Sequence, residues 1–449
     1  MAMSLEPPEK LRSLQGKLYD KAKAEPGYRF YLLYDKIHRP DVLAHAYALA
    51  RRNDGAPGVD GVTFDRIEAA GLADWLAAPG QPPARAGVPG VRTKRYRAQP
   101  VRRVLIPKPG GGERPLGIPT IRDRVAQTAA KLVLEPIFEA DLEPTVYGYR
   151  PDRSAIDAVE AVHKRLLEGY TAVVDADLSR YFDSIPHAAL MQSVARRISD
   201  RHVLHLIKMW LTVPVEETDD GGGKRLTGGQ SNRKGTPQGG VISPLLANLY
   251  FNRVLKYWRI TGCDEAFRAH IVNYADDFVI LSRGKAAEAL AWTRRTMGRL
   301  DLTLNEAKTT LKAARTERFD FLGYSFGPHC HRLTGRRYLG ASPSAKSLAR
   351  IKSTVSDVLA RGNAAPWPTV RERVNRLLRG WQGYFRYGSC ALAYRAVNRH
   401  VVDRTRAFLV DRHRLNSHGT RQYRFDTVFG ELGIHALRTK AAAAPGTLS

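Results

Sequence analysis

Two adjacent acids between two apolar runs constrain the fold of this chain more than any other feature. Residues 271–274 and 278–281 have the composition of β-strands, and Asp276 and Asp277 lie in the short turn between them. Charges beside buried strands require compensation, and the tip of a hairpin would present both carboxylates near one point. The pattern therefore predicts a β-hairpin with an acidic tip, although a solvated turn would carry the same pair.

A third carboxylate, Asp177, lies at the end of another apolar run over residues 173–178. If these strands are neighbours in one sheet, Asp177, Asp276 and Asp277 meet at one edge. Carboxylate and phosphate oxygens could then hold two Mg²⁺ ions, one activating a primer 3′ hydroxyl and the other stabilising the leaving pyrophosphate. Asp175 precedes Asp177 by two residues, on the same predicted face, and is a rival ligand.

The charge of the chain points to a polyanionic partner. Lys and Arg number 71 against 44 acidic residues, and residues 331–449 alone carry 22 basic and 6 acidic side chains, which is +16 of the total +27. Each phosphate that such a surface neutralises releases counterions and adds affinity. A basic tail of this kind predicts a nucleic-acid face, with anionic lipid or a merely basic protein as the alternatives.

Other classes of site and location are disfavoured. The three cysteines do not show zinc-site spacing, and the HCH run at 329–331 has no second ligand pair nearby, so we expect no zinc centre. The first ten residues lack the apolar core of a signal peptide, and no apolar run is long enough to span a bilayer. These features predict a protein of the reducing cytoplasm without a membrane partner.

The order of the patterns predicts a mixed α/β body followed by a basic helical appendage. Strands are predicted at 101–107, 114–118, 173–178, 271–274, 278–281 and 319–326, with an exposed hairpin over 215–234. Helices are predicted over most of 11–52 and over 121–139, 187–211, 243–258 and 285–300, and the chain after residue 342 is predicted to be wholly helical.

Several ordered sequence blocks resemble the reverse transcriptases encoded by group II introns. They are RVLIPK at 103–108, RPLGIP at 114–119, DADLSRYFD at 175–183, GTPQGGVISPLLAN at 235–248 and YADD at 274–277. RGWQGYFR at 379–386 is similar to the maturase, or X, region of the same family. The resemblance spans most of the chain and implies RNA-directed DNA polymerase activity.

The resemblance also implies the fold and its division. We expect an α/β (α+β) right-hand polymerase in which the palm has an antiparallel sheet and the thumb/X domain is all-helical and basic. The N-terminal extension and the start of the fingers are expected over 1–95, and the fingers over 96–170. The palm with its catalytic aspartates is expected over 171–330, and the helical thumb/maturase region over 331–449.

Individual roles follow from the matched blocks. Asp177, Asp276 and Asp277 would be the catalytic ligands of two Mg²⁺ ions, for which Mn²⁺ could substitute. Each further position also has a structural interpretation, as a core aromatic, a solvated cation, a plain turn or a helix-surface lysine. The resemblance makes Phe182 the sugar gate and gives Lys108 and Arg114 the contact with the triphosphate. It places Gln238 at the incoming nucleotide and Lys308 near the leaving pyrophosphate.

The basic tail combines arginines with interleaved aromatic residues such as Trp381. Such a surface suits phosphate contact with base stacking, while an amphipathic thumb helix with solvated arginines is the alternative. The candidate nucleic-acid-binding residues are Arg371, Arg376, Arg379 and Arg386.

We expect the chain to copy RNA into cDNA, using an RNA template, a DNA primer and dNTPs, and to bind a structured intron RNA as a maturase. The paired cysteines of an intron endonuclease module are absent before Ser449, so we expect no such module. One alternative is a domesticated reverse transcriptase of phage defence, spacer acquisition or DNA repair. Another is an RNA-binding splicing factor without polymerase activity. The intron target and the oligomeric state stay open.

Overall fold

The computed structural model describes residues 5–77, 96–107, 112–219, 221–331, 334–416 and 418–439. Its helices are α1 (Glu9–Ala24), α2 (Tyr34–Ile37), α3 (Pro40–Arg52), α4 (Phe64–Ala69), α5 (Leu72–Ala77), α6 (Ile121–Glu139), α7 (Ala155–Leu167), α8 (Tyr181–Ser184), α9 (His187–Ala195), α10 (Arg201–Leu211), α11 (Ser243–Ile260), α12 (Cys263–Ala266), α13 (Ala286–Arg299), α14 (Ala345–Val358), α15 (Trp367–Tyr384) and α16 (Ala391–Arg412). Its strands are β1 (Val101–Pro107), β2 (Glu113–Ile118), β3 (Ala172–Asp177), β4 (Pro214–Thr218), β5 (Lys224–Gly228), β6 (Ala269–Tyr274), β7 (Asp277–Ser282), β8 (Thr310–Ala313), β9 (Phe319–Phe321), β10 (Tyr324–Cys330) and β11 (Arg337–Pro343).

Two stretches that the sequence predicts as helical are interrupted. Residues 11–52 form α1, α2 and α3, and Pro40 begins α3 because a proline has no N–H to lose at the first helical position. Residues 187–211 form α9 and α10, separated by a link in which Ile198 pairs with Phe30 in a parallel bridge. The Asp200 carboxylate caps α10 and also accepts the N–H of Leu33, which fastens the N-terminal segment to this break.

The first sheet has the strand order β2-β1-β4-β5. β1 and β2 pair antiparallel from Arg102↔Ile118 to Pro107↔Glu113, which confirms the predicted hairpin. The predicted exposed hairpin is likewise confirmed by β4 and β5, and β4 joins β1 in a parallel pair. Lys108, the residue after β1 in the sequence, lies outside the described residues.

The central sheet has the order β6-β7-β3-β8, and its apolar residues alternate between two cores. Val174 and Ala176 of β3 pack into a core shared with α6 and α11, whereas Val173 packs into a second core shared with α7. Alternation places Asp175 and Asp177 on the Val173 face. The sheet is therefore covered on both faces, and its register is fixed by two cores at once.

The predicted strand over 319–326 is wrong in detail, whereas the helices predicted after residue 342 are confirmed by α14, α15 and α16. Leu322 and Gly323 have φ angles of 50° and 79°, and this left-handed pair turns the run into the antiparallel strands β9 and β10. β11 then pairs along β10, so the third sheet continues to Pro343. Apolar composition concealed the turn, and Gly323 is its only local signal.

The helices α14, α15 and α16 form a separate hydrophobic core. The chain after α16 includes one π-helical turn, Thr427–Glu431, and its last described residues lie without regular secondary structure against α15 and α16. Two buried asparagines hold this final segment: Asn375 donates to Gly433 O at 2.9 Å, and Asn398 donates to Leu437 O at 2.9 Å. Among the residues described, the helices are all too short or too polar to cross a membrane.

Candidate functional site

The edge of the central sheet brings the three predicted carboxylates together. β3 and β7 pair antiparallel so that Asp177 stands opposite Asp277, and β6 pairs with β7 at Tyr274↔Asp277. Asp276 lies in the two-residue turn between β6 and β7. The Leu178 N–H donates to Asp276 O at 3.3 Å and thereby ties this turn to the end of β3.

The backbone of the acidic turn is held by residues that no sequence pattern had indicated. Ala275 has a φ of 59°, which costs a residue with a side chain roughly 1–3 kcal/mol. Asn273 Nδ2 donates to Ala275 O at 2.9 Å, and Asn248 Nδ2 donates to Gly148 O at 2.6 Å. A Cβ on Gly148 would lie 2.6 Å from Ala275 N, so only glycine lets these backbones approach. The glycine between two tyrosines was the available signal.

Crowded negative charge dominates the electrostatics of the edge. The Asp277 side chain is exposed, yet the surrounding protein restricts its hydration. This desolvation, followed by the charges of Asp276, Asp177 and Asp175, raises the pKa of Asp277 to about 7. Carboxylates this close favour the arrival of positive charge.

Asp175, the rival ligand, lies further from the acidic turn, where it pairs with Val279 of β7. Burial, followed by the charges of Asp320 and Asp177, raises the pKa of Asp175 to about 6. The charge of Asp175 also contributes to the raised pKa of Asp277, so Asp175 stays within electrostatic reach of the turn.

The Lys308 ammonium contacts the acidic edge directly. Its Nζ lies 2.6 Å from Asp177 Oδ2, and Asn305 Nδ2 lies 3.4 Å from the same oxygen. Asn305 also donates its backbone N–H to Asp177 O at 2.8 Å. The hydrogen bond to Asp177 raises the pKa of Lys308, followed by the attraction of Asp277 and Asp276. The family resemblance implies that Lys308 lies near the pyrophosphate. In the structure its ammonium contacts Asp177, one of the candidate metal ligands.

The donor set at this edge fits a hard divalent cation. Among the described residues, no group of three His, Cys, Asp or Glu side chains is already closed around one point as in a formed metal site. The carboxylates nevertheless offer the oxygen ligands that Mg²⁺ prefers, and Lys308 already supplies a positive charge to Asp177. A divalent cation would relieve the repulsion that, after desolvation, raises the pKa of Asp277.

Gln238 joins the opposite walls of the site. Its Nε2 donates to Asp183 Oδ2 at 2.9 Å, and its Oε1 accepts from Arg114 Nε at 3.2 Å. Its backbone O accepts the Gly117 N–H at 2.6 Å, which docks the glycine-rich loop on β2. Gly239, with a φ of 104°, packs so closely on Gly117 that a Cβ would overlap the Gly117 carbonyl. Asp183 belongs to this chain of contacts and was missed because its block held three aspartates.

A cleft of about 1420 Å³ opens in front of the acidic edge. Its walls include Asp177, Asp276, Lys308, Arg114, Gln238 and Phe182, together with Tyr149 and Arg350. Phe182 is 7% exposed and packs edge-on against Tyr149, with ring centroids 6.5 Å apart. Arg350 comes from α14, and its local sequence gave no sign that a helix distant in the chain would reach the cleft.

The tail arginines occupy different environments. Arg376, Arg379 and Arg386 are exposed, and Arg379 lies 3.7 Å from Glu372. Arg371 is half-buried, and a Cβ added at Gly433 would lie 3.5 Å from its Cδ. The aromatic residues between them face inward, and Trp381 packs on Phe385 with ring centroids 4.8 Å apart. The helix is thus amphipathic, with most of its arginines outward.

Comparison with known proteins identifies the class. Residues 106–326 match the family model described as reverse transcriptase (RNA-dependent DNA polymerase), and residues 348–425 match the group II intron, maturase-specific domain. The chain therefore carries an RNA-directed DNA polymerase domain of mixed α/β structure, followed by a helical maturase domain. It belongs to the group II intron reverse transcriptase/maturase family.

Two relatives support this membership. Protein YkfC of Escherichia coli is 33% identical, over 79% of this chain and 95% of that protein. The group II intron-encoded protein LtrA of Lactococcus lactis is 32% identical, over 51% of this chain and 35% of that protein.

A telomerase from Candida albicans, solved with a fragment of telomeric RNA, has a TM-score of 0.41 and 12% identity, covering 77% of this chain and 63% of its own. The family assignment rests on the sequence matches.

Gly148→Ala should displace the acidic turn, because the new Cβ would meet Ala275 N at 2.6 Å. A shift of this kind in a catalytic group costs about 100-fold in rate. We expect a loss of that order in primer extension on poly(rA)/oligo(dT). Gly16→Ala is the matched control, because no atom lies within 4 Å of its Cβ position. Equal activity of the two variants would contradict the importance of this contact.

Proposed function

We propose that the chain copies RNA into cDNA by two-metal phosphoryl transfer and also binds a structured intron RNA. The observation that carries the polymerase proposal is the register of the central sheet, which sets Asp177 opposite Asp277 and beside Asp276. The edge faces a cleft of about 1420 Å³ with cations on its other walls. Reverse transcriptase family membership supports the same interpretation.

The three carboxylates would hold two Mg²⁺ ions, which when bound supply charge neutralisation for the phosphates and acidify the primer hydroxyl. Lys308 forms an ion pair with Asp177, and its side chain is 66% exposed. It would therefore be able to pair with the leaving pyrophosphate. Asn305 orients Asp177 through its backbone and its amide. Polymerases of the reverse transcriptase family are generally metal-dependent. That the ions are Mg²⁺ is part of this proposal.

The far wall would receive the incoming nucleotide. Arg114 presents a planar guanidinium suited to a triphosphate, and Gln238 holds it at 3.2 Å while bonded to Asp183. Arg350 of α14 adds a second cation to the cleft. Phe182, fixed against Tyr149, would lie under the sugar and exclude a ribose 2′ hydroxyl. For Lys108, the proposed contact with the triphosphate rests on the sequence resemblance alone.

Asp277→Asn should abolish DNA synthesis while preserving the fold, because it removes one charge without changing size. Metal-ion charge stabilisation is worth several kcal/mol, so we expect a loss of about a thousandfold or more. Primer extension on poly(rA)/oligo(dT) with dTTP and Mg²⁺ measures it. Glu288→Gln, which alters an exposed carboxylate on α13, is the control. Unchanged extension would refute the assignment, and an inactive parent chain would favour the splicing-factor alternative.

Phe182→Ala should relax sugar selection, because removing the ring opens space beside the 2′ position. We expect the ratio of kcat/KM for dTTP over UTP on the same template to fall by roughly tenfold or more. Phe251→Ala is a control for the loss of a buried ring: it lies in the same core, is 1% exposed and is not among the residues that line the cleft. A selectivity ratio equal to that of the parent would remove Phe182 from the proposed gate.

The maturase role rests on a second set of observations. The helical region matches the maturase-specific model, and α15 turns its arginines outward while its apolar residues close the core. Arginine binds phosphate through a rigid fork and stacks on bases, which suits folded RNA. We therefore propose that the exposed side of α15, together with Arg386 just after this helix, contacts the intron RNA.

Arg376→Gln combined with Arg386→Gln should weaken RNA binding without harming the core, because both side chains are exposed. The slope of log affinity against log salt should fall by about one for each RNA phosphate that the variant no longer neutralises. The ligand is the RNA that copurifies with the chain, transcribed in vitro. Arg12→Gln with Arg295→Gln removes equal charge from exposed positions elsewhere. Identical slopes for the two double variants would rule out this surface.

A further inference from the structure

A second pocket lies in the body of the molecule, apart from the catalytic cleft. It has a volume of about 490 Å³ and is formed by the end of α9, the second half of α11 and the end of α13. None of its lining residues also lines the catalytic cleft. Helix α11 connects the two, since Ser243 and Pro244 at its start face the cleft and its later turns face the pocket.

The pocket is strongly cationic. Arg196, Arg253, Lys256 and Arg299 line it, and none of the four forms an ion pair with a residue that the structure describes. Such a group of unpaired cations repels itself unless an anion is present. The lining therefore favours a negatively charged ligand.

The other two charged residues of the lining neutralise each other. Arg197 is 3% exposed, and its Nε lies 3.2 Å from Asp141 Oδ2. Arg197 also donates to Ala22 O at 2.6 Å and so anchors helix α1. This pair is part of the fold, and it leaves the excess positive charge of the pocket unchanged.

The Arg253 guanidinium is held in a fixed position at the wall of the pocket. Its Nη1 is buried and has no hydrogen-bond partner among the described residues. Its guanidinium lies over the Tyr250 ring at 5.2 Å, and Tyr250 is held in turn by a 2.8 Å hydrogen bond to Leu300 O. A buried donor without an acceptor is costly. Nη1 is shielded from solvent, so a ligand would meet the other atoms of the Arg253 side chain, which lines the pocket and is held in place over the Tyr250 ring.

The remaining lining is suited to more than an inorganic anion. Leu249, Leu300 and Ile260 supply an apolar wall, and the volume lies in the range of small-molecule sites. Tyr257 stands at the pocket with its ring stacked on Trp292, at 5.5 Å and 22°. A rigid aromatic face beside cations suits a base above its phosphate.

We propose that this pocket binds the phosphate and base of a single nucleotide, separately from the polymerase site. Arg253 and Lys256 would hold the phosphate, with Arg196 and Arg299 adding charge at the opening, and Tyr257 would face the base. The nucleotide could be free or could be the 5′-phosphorylated end of an RNA chain, since both offer the same chemistry.

Equilibrium dialysis of radiolabelled AMP against the full chain in EDTA tests the proposal without any readout of polymerase activity. Arg253→Gln with Lys256→Gln should weaken binding at least tenfold. Arg12→Gln with Arg295→Gln removes the same charge outside the pocket and should leave binding unchanged. Arg299 is exposed, so Arg299→Gln is a fold-safe second variant that should weaken AMP binding several-fold.

Two further arms separate the source of the nucleotide and the site. An eight-nucleotide RNA with a 5′-monophosphate is compared with the same RNA carrying a 5′-hydroxyl. A preference for the phosphate that disappears in the pocket variants indicates an RNA end, and loss of AMP binding alone indicates a free nucleotide. The proposal is overturned if the pocket variants match the control for both probes, or if AMP binding is lost in Gln238→Ala, which would place it in the cleft.

Discussion

The pairing of Asp177 with Asp277 across β3 and β7 is the constraint on which the rest of this structure depends. Like charges at neighbouring backbone positions repel, and the apolar cores on both faces of the sheet, together with Lys308 on Asp177, hold them in place. The repulsion is visible in the pKa of Asp277, which desolvation and the nearby carboxylates raise to about 7. The fold thus stores an unfavourable arrangement of charge that a divalent cation would make favourable.

The surrounding elements hold this edge in relation to the other walls of the cleft. Gly148 packs against Ala275 of the acidic turn, and Asn273 donates a hydrogen bond to Ala275 O. Gln238 links β2 to the loop before α11. The helical region is fastened at the turn between β9 and β10, where Ser347 Oγ donates to Gly323 O at 2.9 Å. Backbone hydrogen bonds and close glycine contacts, more than ion pairs, therefore set the distances on which catalysis would depend.

Positive charge is distributed to match separate tasks. Arg114, Lys308 and Arg350 surround the acidic edge, and the arginines of α15 face outward from their own core. A third group lines the pocket beneath α11, where Arg253 is held over an aromatic ring with an unsatisfied donor. The net charge of +27 is thus spread over surfaces that differ in depth and in neighbours, and we propose that they bind the incoming nucleotide, a folded RNA and a separate single nucleotide.

The sequence by itself determined the acidic hairpin, the strand that ends at Asp177, the first hairpin and the family, because these depend on local periodicity and contiguous motifs. It could not determine the turn at Gly323, which lies in an apolar run, or the split of residues 187–211, which follows from Phe30 pairing with Ile198. Only the tertiary structure decided that Lys308 lies on Asp177, that Gly148 supports the turn and that Arg350 reaches the cleft. Those contacts join residues far apart in the chain, and packing, which no local pattern encodes, brings them together.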